Sequence, residues 1–122
     1  MTVIEYAKEK NKIVKKYSGI DLIPDWALEQ LEEIYDAKKE EEFKKMVKDA
    51  KLKYELSSFS CPHCFIYRKN NCDGCVYKEM GEVCDCRESL WHKARMAIYH
   101  NADKEKGFFS EFKELVDNFI ND

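Results

Sequence analysis

The six cysteines are the residues of this chain with the clearest capacity for chemistry, and all of them lie within residues 61–86. Their spacing is C-x2-C-x7-C-x2-C-x8-C-x-C. The two-residue gap of a Cys-x-x-Cys pair lets a tight turn direct both sulfurs at one metal ion, and two such pairs supply the four ligands of a closed tetrahedral site. The sequence therefore predicts a structural zinc ion, bound by the first four cysteines: Cys61, Cys64, Cys72 and Cys75.

The spacer between the two pairs indicates a compact, zinc-knuckle-like loop rather than a two-hairpin zinc ribbon. It has seven residues, whereas the pairs of a ribbon are separated by about 15–20. Pro62 presets the backbone φ of a turn within the first pair, and Gly74 tolerates positive φ within the second. Both residues suit an irregular loop whose backbone wraps closely around an ion.

Other ligand sets and other chemistries stay open at this point. Cys84, Cys86 or His92 could replace one of the four cysteines, and His63 offers a further imidazole. The thiols could instead hold an iron–sulfur cluster, although neither the bacterial nor the plant ferredoxin spacing is present. Disulfides or a thiol–disulfide redox site are further alternatives. Both have weak support, because the chain is expected to be cytosolic and shows no βαβ pattern.

The sequence gives no support for an active site. It contains no H-E-x-x-H, G-x-S-x-G, P-loop or G-x-G-x-x-G motif. His92 and His100 lie eight residues apart on a predicted helix, where we expect surface or structural histidines. A site closed by four thiolates leaves no open position for substrate or water. These observations favour a non-enzymatic protein.

The elements that must position the cysteines are predicted to be helices. Thr2 and Glu5 have capping-box spacing, and apolar residues then recur at helical spacing as far as Tyr17. Gly19 follows where a C-terminal cap is expected. The pattern predicts a first helix that ends at this glycine.

A second helical region follows a short connection. Pro24 suits a first helical position because its missing N–H is not needed there. The apolar pattern of residues 26–54 fits one continuous helix or two helices with a break near Lys39. The charged run of residues 38–42 is expected to be a solvated helix surface.

Two helices are predicted after the cysteines. Ser89 is the expected N-cap of a helix over residues 90–99, and residues 100–107 form a polar connection to the last helix. That last helix has a strong apolar stripe, which we expect to be core. Its members are Phe108, Phe109, Phe112, Leu115, Val116, Phe119 and Ile120.

The predicted architecture is a small all-α domain with an irregular, cysteine-rich, metal-binding loop between its helical halves. One domain of 122 residues is expected. It divides into N-terminal helices over residues 1–58, the cysteine loop over 59–88 and C-terminal helices over 89–122.

Charge and hydropathy favour a cytoplasmic protein with a protein partner. The first twelve residues lack the apolar stretch of a secretory signal, and no window of the chain approaches 18 consecutive apolar residues. A net charge of −3 gives no support to general polyanion binding. Nucleic-acid binding is the weaker alternative. It would use a patch near the loop that consists of Arg68, Lys69, Lys78 and Arg87, with Tyr67 and Tyr77 as stacking groups.

The segment from Cys61 to Ile120 resembles small uncharacterised cysteine-rich proteins of prokaryotes and their phages. The shared pattern is C-x-x-C, an aromatic residue, a polar turn, C-x-G-C, a lysine-rich turn, another cysteine and a closing amphipathic helix. Val76 stands where those proteins often have proline, and Cys86 is an additional cysteine. The resemblance implies no activity. It implies that the cysteine loop acts as a unit with the helices behind it, and it suggests interaction with a host component.

Overall fold

Helices build the part of the chain that the structure describes. A computed structural model of the chain describes residues 1–51, 53–56, 61–68, 74–75 and 90–121. No strand occurs in these ranges, which confirms the predicted all-α class. None of the helices in them has the length and apolar character needed to cross a bilayer. The helices are α1 Val3–Ser18, α2 Asp25–Ile34, α3 Ala37–Asp49, α4 Pro62–Tyr67, α5 Leu90–Tyr99 and α6 Ala102–Ile120.

Helix α1 begins and ends as predicted. The Thr2 hydroxyl accepts a hydrogen bond from the Glu5 N–H at 3.2 Å, and the Glu5 carboxylate accepts one from the Thr2 N–H at 3.4 Å, which completes the capping box. At the other end Gly19 adopts φ of 74°, a region that glycine enters without steric cost. Its N–H donates to the Lys15 carbonyl at 2.8 Å and closes the last turn.

The region over residues 26–54 contains two helices, and the break lies at Tyr35 and Asp36, earlier than Lys39. Asp36 favours the break because its carboxylate accepts a hydrogen bond from the Lys39 N–H at 2.8 Å and caps α3. The extended backbone of Tyr35 redirects the chain, and α3 then contacts α1 and α6. Pro24 is the N-cap residue of α2 rather than its first helical residue.

Helix α6 is longer than the sequence predicts. Residues 102–107, expected to be a connection, form its first turns. Asn101 caps the helix by accepting hydrogen bonds from the Asp103 and Lys104 N–H groups at 3.0 and 3.1 Å. The predicted connection is therefore wrong. The Asn101 cap and residues of high helix propensity begin the helix here, although no apolar stripe marks its first turns. Helix α5 has the predicted bounds, and its predicted cap, Ser89, lies outside the described residues.

The core is organised around α1, which contacts α2, α3, α5 and α6. The rings of Tyr6 and Phe119 stack with centroids 4.4 Å apart, and Phe43 lies within 6.1 Å of both. Phe65 of α4 joins this cluster 5.5 Å from Phe43. The prediction that the last aromatic stripe is core is confirmed for most of its members, whereas Phe109 is 48% exposed.

Candidate metal centre

The first cysteine pair lies at the start of a short helix. Cys61 is the N-cap residue of α4, Pro62 is its first residue, and Cys64 lies within it. Proline favours this position because its φ is preset for a helix and its missing N–H needs no partner. The sequence predicts an irregular loop here, but residues 62–67 are helical because Pro62 begins a helix instead of a turn.

Cys61 is the most enclosed of the cysteines that the structure describes. It is 1% exposed, and Cys64 is half-buried. Burial raises the pKa of Cys61 to about 11. This shift is opposed by backbone hydrogen bonds from Cys64 and His63 and by the charge of Lys10. Burial outweighs the groups that favour the thiolate, so a thiolate at this position would need further positive charge close to it.

A buried lysine of α1 lies within electrostatic range of this sulfur. Lys10 is only 3% exposed. Its Nζ atom lies 4.8 Å from the ring centroid of Trp91 on α5 and 5.7 Å from that of Phe112 on α6. Burial lowers the pKa of Lys10 to about 8, and the charge of Cys61 acts in the opposite direction. The core thus holds a cationic group close to a candidate metal ligand.

Two hydrogen bonds fasten the start of α4 to the N-terminal helices. The Tyr35 hydroxyl donates to the Pro62 carbonyl at 2.6 Å, and His63 Nε2 lies 3.1 Å from the Ala27 carbonyl, a contact that needs a proton on Nε2. Burial lowers the pKa of His63. Burial also raises the pKa of Tyr35, and the charges of the two nearby cysteines add to that effect. His63, a candidate imidazole ligand, therefore uses one ring nitrogen to anchor α4.

The end of the second cysteine pair packs beside α4. Gly74 has φ of 89°, which confirms the positive φ expected of it. A Cβ atom at this position would lie 3.1 Å from Tyr67 Cε1, so the missing side chain also lets the backbone approach the ring. Cys75 is 4% exposed and belongs to the same core cluster as Cys61. One hydrophobic core therefore includes a cysteine from each pair.

The structure gives less information on the remaining candidate ligands. Cys72, Cys84 and Cys86 lie outside the described residues, so the four-thiolate set stays a prediction. Within the described ranges, no three side chains of His, Cys, Asp or Glu form a group that could hold a metal ion. His92 lies half-buried on α5.

Sequence reasoning missed two neighbours of the first cysteine pair. Lys10 lies between Ala7 and Val14 on the apolar face of α1, and a lysine at a core-facing position is itself a signal. The role of Tyr35 has no signal in the sequence, because this residue is part of an apolar pattern that also fits one continuous helix. Its role depends on the break that turns its hydroxyl toward α4.

Comparison with known proteins identifies no relative of this chain. No protein-family model, curated protein or solved structure matches the chain. The chemistry of the cysteine pairs and of the helices that hold them is therefore the basis for a functional conclusion.

Proposed function

We propose that this protein is a non-enzymatic zinc-binding module in which Cys61, Cys64, Cys72 and Cys75 hold one structural ion. The observation that carries the proposal is the placement of Cys61. Its thiol is buried at the N-cap of α4 and accepts hydrogen bonds from the backbone N–H groups of His63 and Cys64. The core around it includes residues of both helical halves, so an ion bound there would join them to the cysteine segment. Its binding energy is then folding energy.

The placement of Cys61 counts against the thiol–disulfide alternative. A thiol that exchanges with a partner's disulfide must be accessible, and its pKa is usually lowered. Cys61 is 1% exposed, and burial raises its pKa to about 11. An iron–sulfur cluster would use the same buried cysteines, and iron content and visible absorption distinguish it from zinc.

Elemental analysis of freshly purified protein tests the metal. We expect about one zinc per chain, as in a single closed four-thiolate site, and no visible absorption. Cys64→Ser should lose the ion. Cys86→Ser, which removes a thiol outside the proposed set, should keep it. Brown protein with iron and acid-labile sulfide would establish the cluster instead, and metal-free protein with all cysteines oxidised would establish disulfides.

The exposed surface favours a protein partner over nucleic acid. Aromatic residues and methionine are enriched at protein interfaces. The large apolar side chains exposed in the described residues are Trp26 at 56%, Phe109 at 48%, Met96 at 40% and Tyr99 at 37%. Of the basic residues proposed for phosphate contacts, Arg68 stacks over the Phe65 ring at 5.6 Å, and Lys69, Lys78 and Arg87 lie outside the described residues.

Gel-shift titration separates the two kinds of partner. At about 50 mM salt, where phosphate contacts are strong, we expect no binding to single- or double-stranded DNA or RNA. Micromolar binding that disappears in an Arg68→Ala/Lys69→Ala double variant would overturn the preference for a protein partner. Lys104→Ala/Lys106→Ala, which removes two positive charges at exposed positions of α6, is the control for an unspecific effect of surface charge.

A further inference from the structure

The α5–α6 cleft is a surface depression between the segment after α3, the end of α5 and the first turns of α6. It has a volume of about 680 Å³. Aromatic rings and carboxylates share its walls, and they belong to Tyr54, Tyr99, Phe108, Phe109, Glu55 and Glu105. Both kinds of group attract a cation, the rings through their π faces and the carboxylates through their charge. The cleft therefore has the chemistry of a site for a positively charged group.

Hydrogen bonds between segments hold the walls of the cleft in place. The Leu56 N–H donates to the Tyr99 hydroxyl at 3.1 Å, and the Tyr54 hydroxyl donates to Asp117 of α6 at 2.7 Å. The rings of Tyr54 and Phe109 stand at 76° to each other, with centroids 6.3 Å apart. A ligand that enters the cleft meets tyrosine rings whose positions are already fixed, so its binding costs little ordering of the protein.

The rings of the cleft differ in what they already contact. The Nζ atoms of Lys53 and Lys113 lie 5.3 and 5.5 Å from the Tyr54 ring centroid, so this ring already has cations of the chain against it. Phe109 and Tyr99 are 48% and 37% exposed. Their rings are therefore the aromatic surfaces that an incoming cation can reach.

The residues that line the cleft carry more negative than positive charge. Glu55 and Glu105 are acidic, and Lys106 is the basic residue beside them. Burial raises the pKa of Tyr99, and the charges of Glu55 and Glu105 act in the same direction, whereas Arg95 opposes them. Both carboxylates thus lie within electrostatic range of one of the accessible rings.

We propose that the α5–α6 cleft binds an arginine side chain of the protein partner. A guanidinium group is planar and weakly hydrated, so it can stack on an aromatic ring and still donate its N–H groups to a carboxylate. The ammonium group of lysine is a strongly hydrated point charge and suits such a surface less well. This inference rests on the proposed protein partner and names the chemistry by which that partner is recognised. It does not involve the metal.

The test is a titration of the whole chain with the peptide Gly-Arg-Gly, blocked at both ends, and with the same peptide containing citrulline in place of arginine. Citrulline keeps the planar group and its length but has no charge. NMR spectra of nitrogen-15-labelled protein report the backbone N–H signals around the cleft. We expect the arginine peptide to bind with a dissociation constant on the order of 1 mM, as suits a ligand of this size. The citrulline peptide should bind at least about fivefold more weakly, because it loses both the cation–π contact and the ion pair.

Variants assign the binding to the cleft. Phe109→Leu, which removes a ring at an exposed position, and Glu105→Gln should each weaken binding of the arginine peptide about two- to fivefold. Lys106→Gln should strengthen it, because a competing positive charge is removed. Glu114→Gln, at an exposed position of α6 outside the cleft, is the matched control and should bind like the wild type. The same spectra show whether each variant is folded.

The outcomes separate this inference from the proposed function. Cleft signals that do not respond to the arginine peptide, in a protein that binds no nucleic acid, would overturn the arginine site alone. Equal binding of the arginine and citrulline peptides would also overturn it, since the cleft would then accept an uncharged side chain. Equal effects of Glu105→Gln, Phe109→Leu and the control would place the binding elsewhere on the surface. Micromolar binding of nucleic acid in the gel shift would overturn the protein partner and this inference with it.

Discussion

Asn11 shows how one buried polar residue fixes the path of the chain between two helices. Its Nδ2 donates to the Ile23 carbonyl at 3.2 Å, and its Oδ1 accepts hydrogen bonds from the Leu22 and Ile23 N–H groups at 3.1 and 3.2 Å. Backbone groups of a connection need such partners when they are removed from water. The amide of Asn11 therefore holds the segment before α2 against α1.

Asn11→Ala should lower the free energy of unfolding by at least about 2 kcal/mol, because it leaves buried backbone groups without partners. Urea denaturation measures the loss. Asn118→Ala, at an exposed position of α6, is the matched control and should change stability by less than about 0.5 kcal/mol. Equal, small effects of both substitutions would show that water replaces the Asn11 amide.

Gly107 marks the closest approach of α6 to the end of α1. A Cβ atom there would lie 2.8 Å from both Cε1 and the hydroxyl oxygen of Tyr17. The Tyr17 hydroxyl donates a hydrogen bond to Glu111 and its ring lies edge-on to Phe108, so moving the ring aside would disturb both contacts. The glycine is explained by this contact and not by its backbone conformation.

Gly107→Ala should therefore destabilise the protein, although alanine in a helix interior is normally favoured over glycine by about 1 kcal/mol. In a Tyr17→Leu background the obstacle is absent, and the same substitution should stabilise the protein by up to about 1 kcal/mol. Urea denaturation of the wild type, the two single variants and the double variant gives the change in the free energy of unfolding in both backgrounds. Stabilisation of equal size in both backgrounds would exclude the steric explanation.

At the scale of elements, two carboxylates of α6 receive hydrogen bonds from tyrosines of other segments. Glu111 accepts from the Tyr17 hydroxyl and from Lys16 Nζ at 2.9 Å. Asp117 accepts from the Tyr54 hydroxyl at 2.7 Å, and Lys113 also contacts it. The bond from Tyr17 lowers the pKa of Glu111, with Lys16 as the next cause, and the bond from Tyr54 lowers the pKa of Asp117.

These shifts predict that the packing of α6 against the other segments becomes less stable at acidic pH. A carboxyl group whose pKa is lowered on folding contributes stability above its unfolded pKa, and this stability is lost as the pH falls through the folded pKa. The free energy of unfolding should therefore fall from about pH 5 downward. In Glu111→Gln/Asp117→Asn the difference between pH 7 and pH 4, measured with urea, should be smaller than in the wild type. An identical difference would show that other groups cause the acid sensitivity. Glu114→Gln is the control.

The elements were predictable where a local signal marks their ends. The capping box of Thr2 and Glu5 and the glycine at position 19 fixed both ends of α1. The start of α6 was missed because the first turns have no apolar stripe, and a single asparagine at position 101 is a weak signal. The break at Tyr35 was undecided because apolar periodicity has the same phase on both sides of it.

At the scale of the whole molecule, the cysteine spacing predicted which residues could bind metal but not what holds them. The anchors of α4 are Tyr35 and Ala27, which hydrogen-bond to Pro62 and His63 across separations of 27 and 36 residues. Such pairs leave no local pattern in a sequence. Residues 62–67, expected to be irregular, form a helix that begins at Pro62 and packs Phe65 against Phe43, a contact across 22 residues.

The helical frame has packing that does not depend on the cysteines. The cluster of Tyr6, Phe43 and Phe119 joins α1, α3 and α6 through aromatic contacts. Cys61 and Cys75 belong to the same hydrophobic core, but none of these three rings lies in the cysteine segment. Loss of the proposed ion should therefore weaken the protein without removing its helices.

We expect chelation of the metal, or Cys61→Ser, to lower the melting temperature by at least about 5 °C, since a loss of 1 kcal/mol shifts it by several degrees in a domain of this size. The far-UV circular dichroism of the helices should mostly persist below the transition, because the aromatic cluster remains. Cys86→Ser, which leaves the proposed ligands in place, should melt like the wild type. An unchanged melting temperature after chelation would exclude a structural ion. Complete loss of the helical signal would show instead that the helices have no stable core without the bound metal.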